Sequence, residues 1–310
     1  MNFTLKQLRY FDAALRCGSI VKAAKEMSIS QSSITAAIDM IEHTTGVPLF
    51  RRIPAKGIVA TEAGKDVGVL VAKFLERARV FDSDLRSLGG DPTGTLRLAC
   101  YAPTAPYVLP LLLKRIAKNY PAIRIDLKEG DMESIDELLQ NGGVDVALTY
   151  RMSTRADQPF VPLFNARPWA LIPDASPLAG QKSVRLAQLA DLPMILLDLP
   201  TSRAYFEQIF MSVGLRPNVV HRTKSSSVLR GLVAANFGYS ILNICGHGDR
   251  AVSTGYVACP IIDDIEEPIF GIAYSAASMR SAMVQAILEI GADLAKLDKF
   301  DSLLLRPDLA

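Results

Sequence analysis

The sequence predicts an α/β chain in two parts. A head with a winged helix-turn-helix and a long helix precedes a two-lobed α/β body. Three observations carry this expectation. Residues 20–27, the break Ser28-Ile29-Ser30 and residues 31–44 read as two short helices around a tight turn, with a basic ribbon behind them. Seven apolar residues between 67 and 88 recur at heptad spacing. From Thr93 onward, short strand-like runs alternate with helical ones, the pattern of a largely parallel sheet covered by helices.

The first helix should run from an N-cap at Thr4 to about Arg16, because Leu5, Leu8, Phe11 and Leu15 form one apolar face. Gly18-Ser19 ends it, and Ser19 can cap the second helix, whose Ala23, Ala24 and Met27 suit a close helix crossing. After Ser30, the third helix opens on Gln31, Ser32, Ser33 and Thr35, with Ile34, Ile38 and Ile41 inward, and Ser30 joins these four as a DNA-binding candidate. Small polar side chains on a first turn suit a helix whose N-terminal end enters a major groove and reaches base edges. Each serine alone could equally be a cap or a solvated residue. Phe50 should anchor the following ribbon, whose Arg51, Arg52 and Lys56 are placed for phosphate contact.

The long helix starts at Thr61-Glu62-Ala63-Gly64. Val67, Val71, Phe74, Ala78, Phe81, Leu85 and Leu88 follow steps of 4, 3, 4, 3, 4 and 3. That is a coiled-coil seam, and the expected partner is the same helix of a second chain, the alternative being packing against the body of its own chain. Gly89-Gly90-Asp91-Pro92 should end the helix and form a hinge.

In the body, strands are expected at 95–99, 124–128 and 144–149, with helices at 106–119 and 134–141 and a turn at Glu129-Gly130-Asp131. A second set follows: strands at 169–172, 193–197, 218–222 and 239–242, and helices at 202–213 and 227–236. A late strand at 268–274 should return to the first lobe before a last helix at 279–297, giving crossings near Pro162 and Glu267. Two lobes with two crossings form a cleft that can close on a small ligand. Ligands in such sheets sit beyond the carboxyl ends of strands, where helix N-termini point. That rule selects Tyr101, Thr104, Thr149, Tyr150, Thr201, Ser202, Arg203 and Ser226 as effector-binding candidates, with Arg151 as a second cation beside Arg203. Thr104 is expected to cap the next helix, and Arg203 either meets a ligand carboxylate or pairs with Glu207.

Composition narrows the function. A chain of 310 residues suits two or three domains, and 49% hydrophobic residues are ample for packed cores. The longest apolar runs are too short to span a bilayer and no secretory signal is visible, so a cytoplasmic location is expected. Residues 1–90 carry 13 Lys/Arg against 9 Asp/Glu, a balance of +4, while the remainder carries 21 against 23, a balance of −2. A basic head on a slightly acidic body fits phosphate contact at one end. Cys17, Cys100, Cys245 and Cys259 are scattered, and His43, His221 and His247 have no metal-ligand spacing. No nucleophile-base pair, dinucleotide fingerprint or phosphate-binding loop is present, so no catalytic residue, cofactor or metal is expected.

The segments 8–11, 19–24, 30–41, 46–52 and 61–64 resemble the N-terminal domain of LysR-type transcriptional regulators. Leu49-Phe50-Arg51-Arg52 followed by Thr61-Glu62-Ala63-Gly64 is the most specific part. Residues 170–179 and 232–242 resemble that family's effector domain, which is similar to type 2 periplasmic binding proteins. The resemblance runs from about Leu5 to Leu297. It departs at Ala36, where many members have arginine, and at Asn236 and Asn243, where many have glycine and proline. It implies a DNA-binding regulator whose small-molecule effector lies between the lobes. A solute-binding protein or an enzyme built on the same body is the alternative. The expected domains are 1–60, a linker helix over 61–90, an effector domain over 91–300 and a tail over 301–310. Lobe 1 takes about 91–162 and 268–300, lobe 2 about 163–267. The expected partners are double-stranded DNA, an anionic effector and further copies of the chain, as a homodimer through the linker helix and a homotetramer, with no membrane.

Overall fold

Thr4 opens the head with a capping box. Its hydroxyl accepts from the Gln7 N–H, and the Gln7 side chain accepts from the Thr4 N–H. Helix α1 (Leu5–Cys17) follows and ends at Gly18 in the left-handed region. Ser19 caps α2 (Ile20–Glu26), and Ser30 caps α3 (Gln31–Thr45). Strands β1 (Phe50–Ile53) and β2 (Gly57–Ala60) pair antiparallel as the wing, ahead of α4 (Glu62–Ser87). The computed structural model describes residues 3–53, 57–87, 92–251, 254–275 and 278–307. Lys56, Leu88 and most of the expected hinge at 89–92 lie outside them. The chain divides into two compact units, residues 1–88 and 89–310.

The head's core joins Leu8, Phe11 and Ala14 of α1, Ala23 and Ala24 of α2, and Ile34, Ile38 and Ile41 of α3. Phe50 meets the Phe11 ring edge-on at 5.3 Å, so the wing is anchored as expected. Glu42 of α3 accepts from the Leu49 and Phe50 N–H groups at 2.6 and 3.0 Å, fixing the wing to the third helix. The seam of α4 divides where the sequence reads it as uniform. Val71 is buried in the head core and Val67 packs beside it, whereas Phe74, Phe81 and Leu85 are exposed.

The Thr61 hydroxyl accepts from the Gly64 N–H and donates to the Pro48 carbonyl, which ties the start of α4 to the wing's approach. A Cβ on Gly64 would stand 2.0 Å from the Leu49 carbonyl oxygen, a backbone atom that cannot swing aside. Gly64→Ala should therefore lower the head's stability by about 1–3 kcal/mol, as overpacking does. Gly231→Ala, with nothing within 4 Å of the new Cβ, should be neutral or stabilising by up to about 1 kcal/mol. Thermal unfolding of both variants checks this; equal melting midpoints would contradict the close approach.

The body begins in lobe 1 with β3 (Gly94–Tyr101), α5 (Ala105–Asn119), β4 (Ile123–Gly130), α6 (Met132–Gln140), β5 (Val146–Tyr150) and β6 (Phe160–Asn165). Lobe 2 comprises β7 (Trp169–Pro173), α7 (Leu186–Leu189), β8 (Pro193–Leu197), α8 (Pro200–Met211), β9 (Asn218–Thr223), α9 (Ser226–Ala234), β10 (Ser240–Leu242) and β11 (Tyr256–Pro260). The chain then returns to lobe 1 with β12 (Ile269–Tyr274) and α10 (Ala282–Lys296).

The lobe 1 sheet has the order β4-β3-β5-β12-β6. Strand β3 is parallel to β4 and β5, but β12 is antiparallel to β5 and β6. In lobe 2, β7 lies antiparallel between β10 and β11, and β8 and β9 are parallel. Each lobe thus mixes parallel and antiparallel pairs and is not largely parallel, because the strands next to the crossings run back against their neighbours. The late strand does return to lobe 1. The first crossing falls after Asn165, not near Pro162, because β6 completes the lobe 1 sheet. Pro162 within β6 disguised that strand, and β6 is an edge, where a missing N–H is tolerated. Gly130 ends β4 and Asp131 caps α6, in place of the expected turn. Asn236 adopts φ +62°, so an asparagine supplies the left-handed residue at the end of α9. Among the described residues, no helix is long and apolar enough to cross a membrane.

Candidate functional site

The head presents the first turn of α3 to solvent. Ser30, Gln31 and Ser32 are exposed, as are Ala36 and Asp39 one turn on. The Ser30 hydroxyl accepts from the Ser33 N–H at 3.2 Å and lies 2.8 Å from the hydroxyls of both Ser32 and Ser33. Thr35 donates back to the Gln31 carbonyl at 3.1 Å. Ser33 and Thr35 are half-buried and locally bonded, whereas Ser30, Gln31 and Ser32 are exposed. Arg51 and Arg52 are both exposed on β1, opposite Val59 and Ile58 respectively. Neighbouring strand residues point to opposite faces. Arg52 therefore shares the face of Phe50, and Arg51 the other face.

In the body, Tyr101, Thr104, Tyr150, Thr201 and Ser202 gather around the cleft, whereas Thr149, Arg203 and Ser226 line neither of its two cavities. The Tyr101 and Ser202 hydroxyls share a hydrogen bond of 2.6 Å from lobe to lobe. Burial pushes the Tyr101 phenol up, and the bond to Ser202 partly offsets that. Thr201, at the N-terminus of α8, donates its backbone N–H to Glu133 of α6 at 2.8 Å, and its hydroxyl reaches the same carboxylate oxygen. Tyr150 is buried between Tyr101 and Phe270, edge-on at 5.8 and 5.1 Å. Tyr101, Thr104, Tyr150, Arg230 and Asn243 line a cavity of about 20 Å³, room for about one water molecule. A wider groove of about 480 Å³ lies between α8 and the crossing, lined by Arg151, Thr201, Tyr205 and Glu266 among others.

Two expectations change, the Thr104 cap and the Arg203–Glu207 pair, and Thr149 and Arg151 are bonded within their own segments. The Thr104 hydroxyl donates to the Tyr101 carbonyl at 3.0 Å and caps nothing. Thr149 meets Ser153 within its own lobe at 3.0 Å. Arg203 pairs with Asp198 at 2.7 Å, and not with Glu207, because Asp198 lies just before the α8 N-terminus. Arg151 donates to the Ala156 and Gln158 carbonyls, closing its own loop. Ser225 caps α9, and Ser226, at its first position, accepts from Arg230 through its carbonyl.

Sequence reasoning missed Glu133 and Arg230. Arg230 forms a two-pronged pair with buried Asp249 at 2.6 and 3.0 Å and lies over the Tyr107 ring of lobe 1 at 5.5 Å. The available signal was a single charge within the apolar run Val228-Leu229-Arg230-Gly231-Leu232-Val233. Asn243 donates to the Ala166 carbonyl at 2.8 Å and so pins the first crossing, a task that proline could not perform. Three of the four thiols are buried, Cys17 being half-buried. Burial pushes Cys100 and Cys245 up to about 12 and Cys259 to about 11, away from reactive thiolate. Among the described residues no cluster of His, Cys, Asp or Glu could hold a metal ion.

Comparison with known proteins gives this geometry a family. Residues 5–65 match the model of the bacterial regulatory helix-turn-helix protein, lysR family, and residues 89–295 match the LysR substrate binding domain. The chain is 26% identical to the transcriptional regulator SsuR of Burkholderia cenocepacia, over 83% of this chain and 84% of that protein. It is 30% identical to the transcriptional activator CmpR of Synechocystis, over 78% and 80%. The crystal structure of HinK, a LysR family transcriptional regulator from Pseudomonas aeruginosa, matches with a TM-score of 0.62 and 28% identity, covering 94% of this chain and 99% of that one. These relatives are named as regulators of transcription, not as enzymes. The chain belongs to the LysR family: it is a LysR-type transcriptional regulator with a helix-turn-helix DNA-binding domain and an effector-binding domain.

Proposed function

We propose that this regulator grips operator DNA as a dimer joined along α4, and that a small anion bound between its lobes sets its activity. The recognition helix offers Ser30, Gln31, Ser32, Ser33 and Thr35 to bases, and Arg51, Arg52 and Lys56 hold phosphates. The exposed stripe on α4 supports self-association of the heads. The edge strands β4 and β9 expose Leu127 and Val220, which supports a second contact between bodies and so a homotetramer. Such a protein works in the cytoplasm, where its DNA is.

One observation carries the anion. The N-terminus of α8 already holds a carboxylate, that of Glu133 from the opposite lobe. A helix N-terminus with a hydroxyl beside it suits such a group. An effector carboxylate that takes this position displaces Glu133 and resets the angle between lobes, with Tyr101, Thr104, Thr149, Tyr150, Ser202, Arg203 and Ser226 around it. A ligand with different affinity for the two lobe arrangements shifts the population between them. Thermal shift against a panel of carboxylates, sulfonates, amines and neutral sugars tests this. An anion at 100 times its Kd should stabilise the native state by about 2.7 kcal/mol. If amines or sugars alone raise the midpoint, the anion is wrong.

A further inference from the structure

We propose that residues 298–307 form a strap that ties lobe 2 to lobe 1 and limits how far the cleft opens. These residues lie beyond the span 89–295 matched by the family model. The chain leaves α10 in lobe 1, and the Phe300 ring packs on Phe164 of β6 at a centroid distance of 5.1 Å. The chain then crosses to lobe 2. The Leu303 carbonyl accepts from the Cys245 N–H at 2.9 Å. Arg250 donates to the Ser302 and Leu304 carbonyls at 2.6 and 2.7 Å. Phe300, Leu303, Leu304 and Leu305 are all buried.

This is a third connection between lobes that a two-crossing hinge alone would leave free to rotate. Parting the lobes must either stretch the segment or strip its apolar residues from their sites. The clamp also reaches the cleft. Asp249, the neighbour of Arg250, is buried and accepts from the Gly246 N–H and the Tyr256 hydroxyl, each at 2.8 Å, besides holding Arg230. Arg230 lines the cleft cavity and lies over Tyr107 of lobe 1. Consecutive residues, 249 and 250, therefore hold the cleft arginine and the strap, so a ligand that moves one loads the other.

The proposal rests on reading the body as a two-lobed receptor, but its test needs no effector. Amide hydrogen exchange is followed in the full-length protein, in Arg250→Ala and in a chain ended after Lys299. Arg250 is itself exposed, so its loss opens no core cavity. The Thr201 amide, bonded to Glu133 across the cleft, reports on the lobes staying together. Ala147 and Leu148 of β5, wholly buried, report on the integrity of lobe 1. Both variants should raise exchange at Thr201 about tenfold while Ala147 and Leu148 stay within about twofold, because local opening and global unfolding are separable. Unchanged protection at Thr201 in both variants overturns the strap. So does a parallel rise at all three amides, which would make the segment ordinary core packing. A failure of the anion screen leaves this result unaffected.

Discussion

A chain carrying Phe74→Asp and Phe81→Asp is expected to sediment as a monomer and to lose at least about 100-fold in DNA affinity, the scale on which a second linked contact raises binding. Phe74 is 41% exposed, Phe81 64% and Leu85 50%, and Leu70, on the same side of the helix, is 66% exposed. Four large apolar side chains along one helix face make a surface that a second copy would cover. Two aspartates there would bury charge without partners, which costs several kcal/mol per group. The head itself should survive, since neither phenylalanine belongs to its core. Val71→Asp is the contrasting variant. Val71 is 6% exposed within the head core, so its replacement should unfold the head. Sedimentation, a thermal melt and a DNA titration on both variants separate the two roles. A doubly substituted protein that remains a dimer with full DNA affinity would remove α4 as the dimer contact.

Val71 and Phe74 also show what was legible in the sequence. The heptad steps assign both residues one role, because periodicity identifies a face of a helix and not what covers it. Where α4 passes under α1 that face is core; beyond it the face is bare. The caps at Thr4 and Ser19 were readable because local hydrogen bonds depend only on neighbours in sequence. The strand β6 was not, because Pro162 looks like a breaker until its position at a sheet edge is known. The cleft residues Tyr101, Thr201 and Ser202 could be named from strand ends, but their partners could not. Glu133 sits 68 residues from Thr201 in sequence, and nothing local marks it as the carboxylate that fills the α8 N-terminus. The ion partner of Arg203 could not be read for the same reason: helical spacing offers Glu207 as the alternative to a ligand, while the structure pairs it with Asp198 before the helix. Leu303, Leu304 and Leu305 had no periodicity to read, and only the fold reveals that they cross between lobes.

Arg51→Ala with Arg52→Ala should weaken binding to every duplex by a similar factor and flatten its salt dependence. Phosphate contacts release counterions, and the slope of log affinity against log salt changes by about 0.9 for each phosphate no longer neutralised. A dimer loses four arginines in the double variant, so the slope should fall in magnitude by up to about 3.6. At about 0.2 M salt that should be a loss of at least about tenfold in affinity. The ribbon geometry sharpens the test. Arg52 shares a face with Phe50, which packs on the head core, while Arg51 shares the opposite face with Ile53 and, across the ribbon, Val59. A duplex lying along one face of the wing would meet one arginine more closely than the other. The single variants should then differ, with one carrying most of the slope and the other close to wild type. Changes on the recognition helix should behave otherwise: Gln31→Ala or Ser32→Ala should alter the preference among sequences with little effect on the slope, because base contacts carry sequence information and phosphate contacts do not. An unchanged slope in the double variant would show that Arg51 and Arg52 do not touch the backbone, and would overturn their assignment to phosphates.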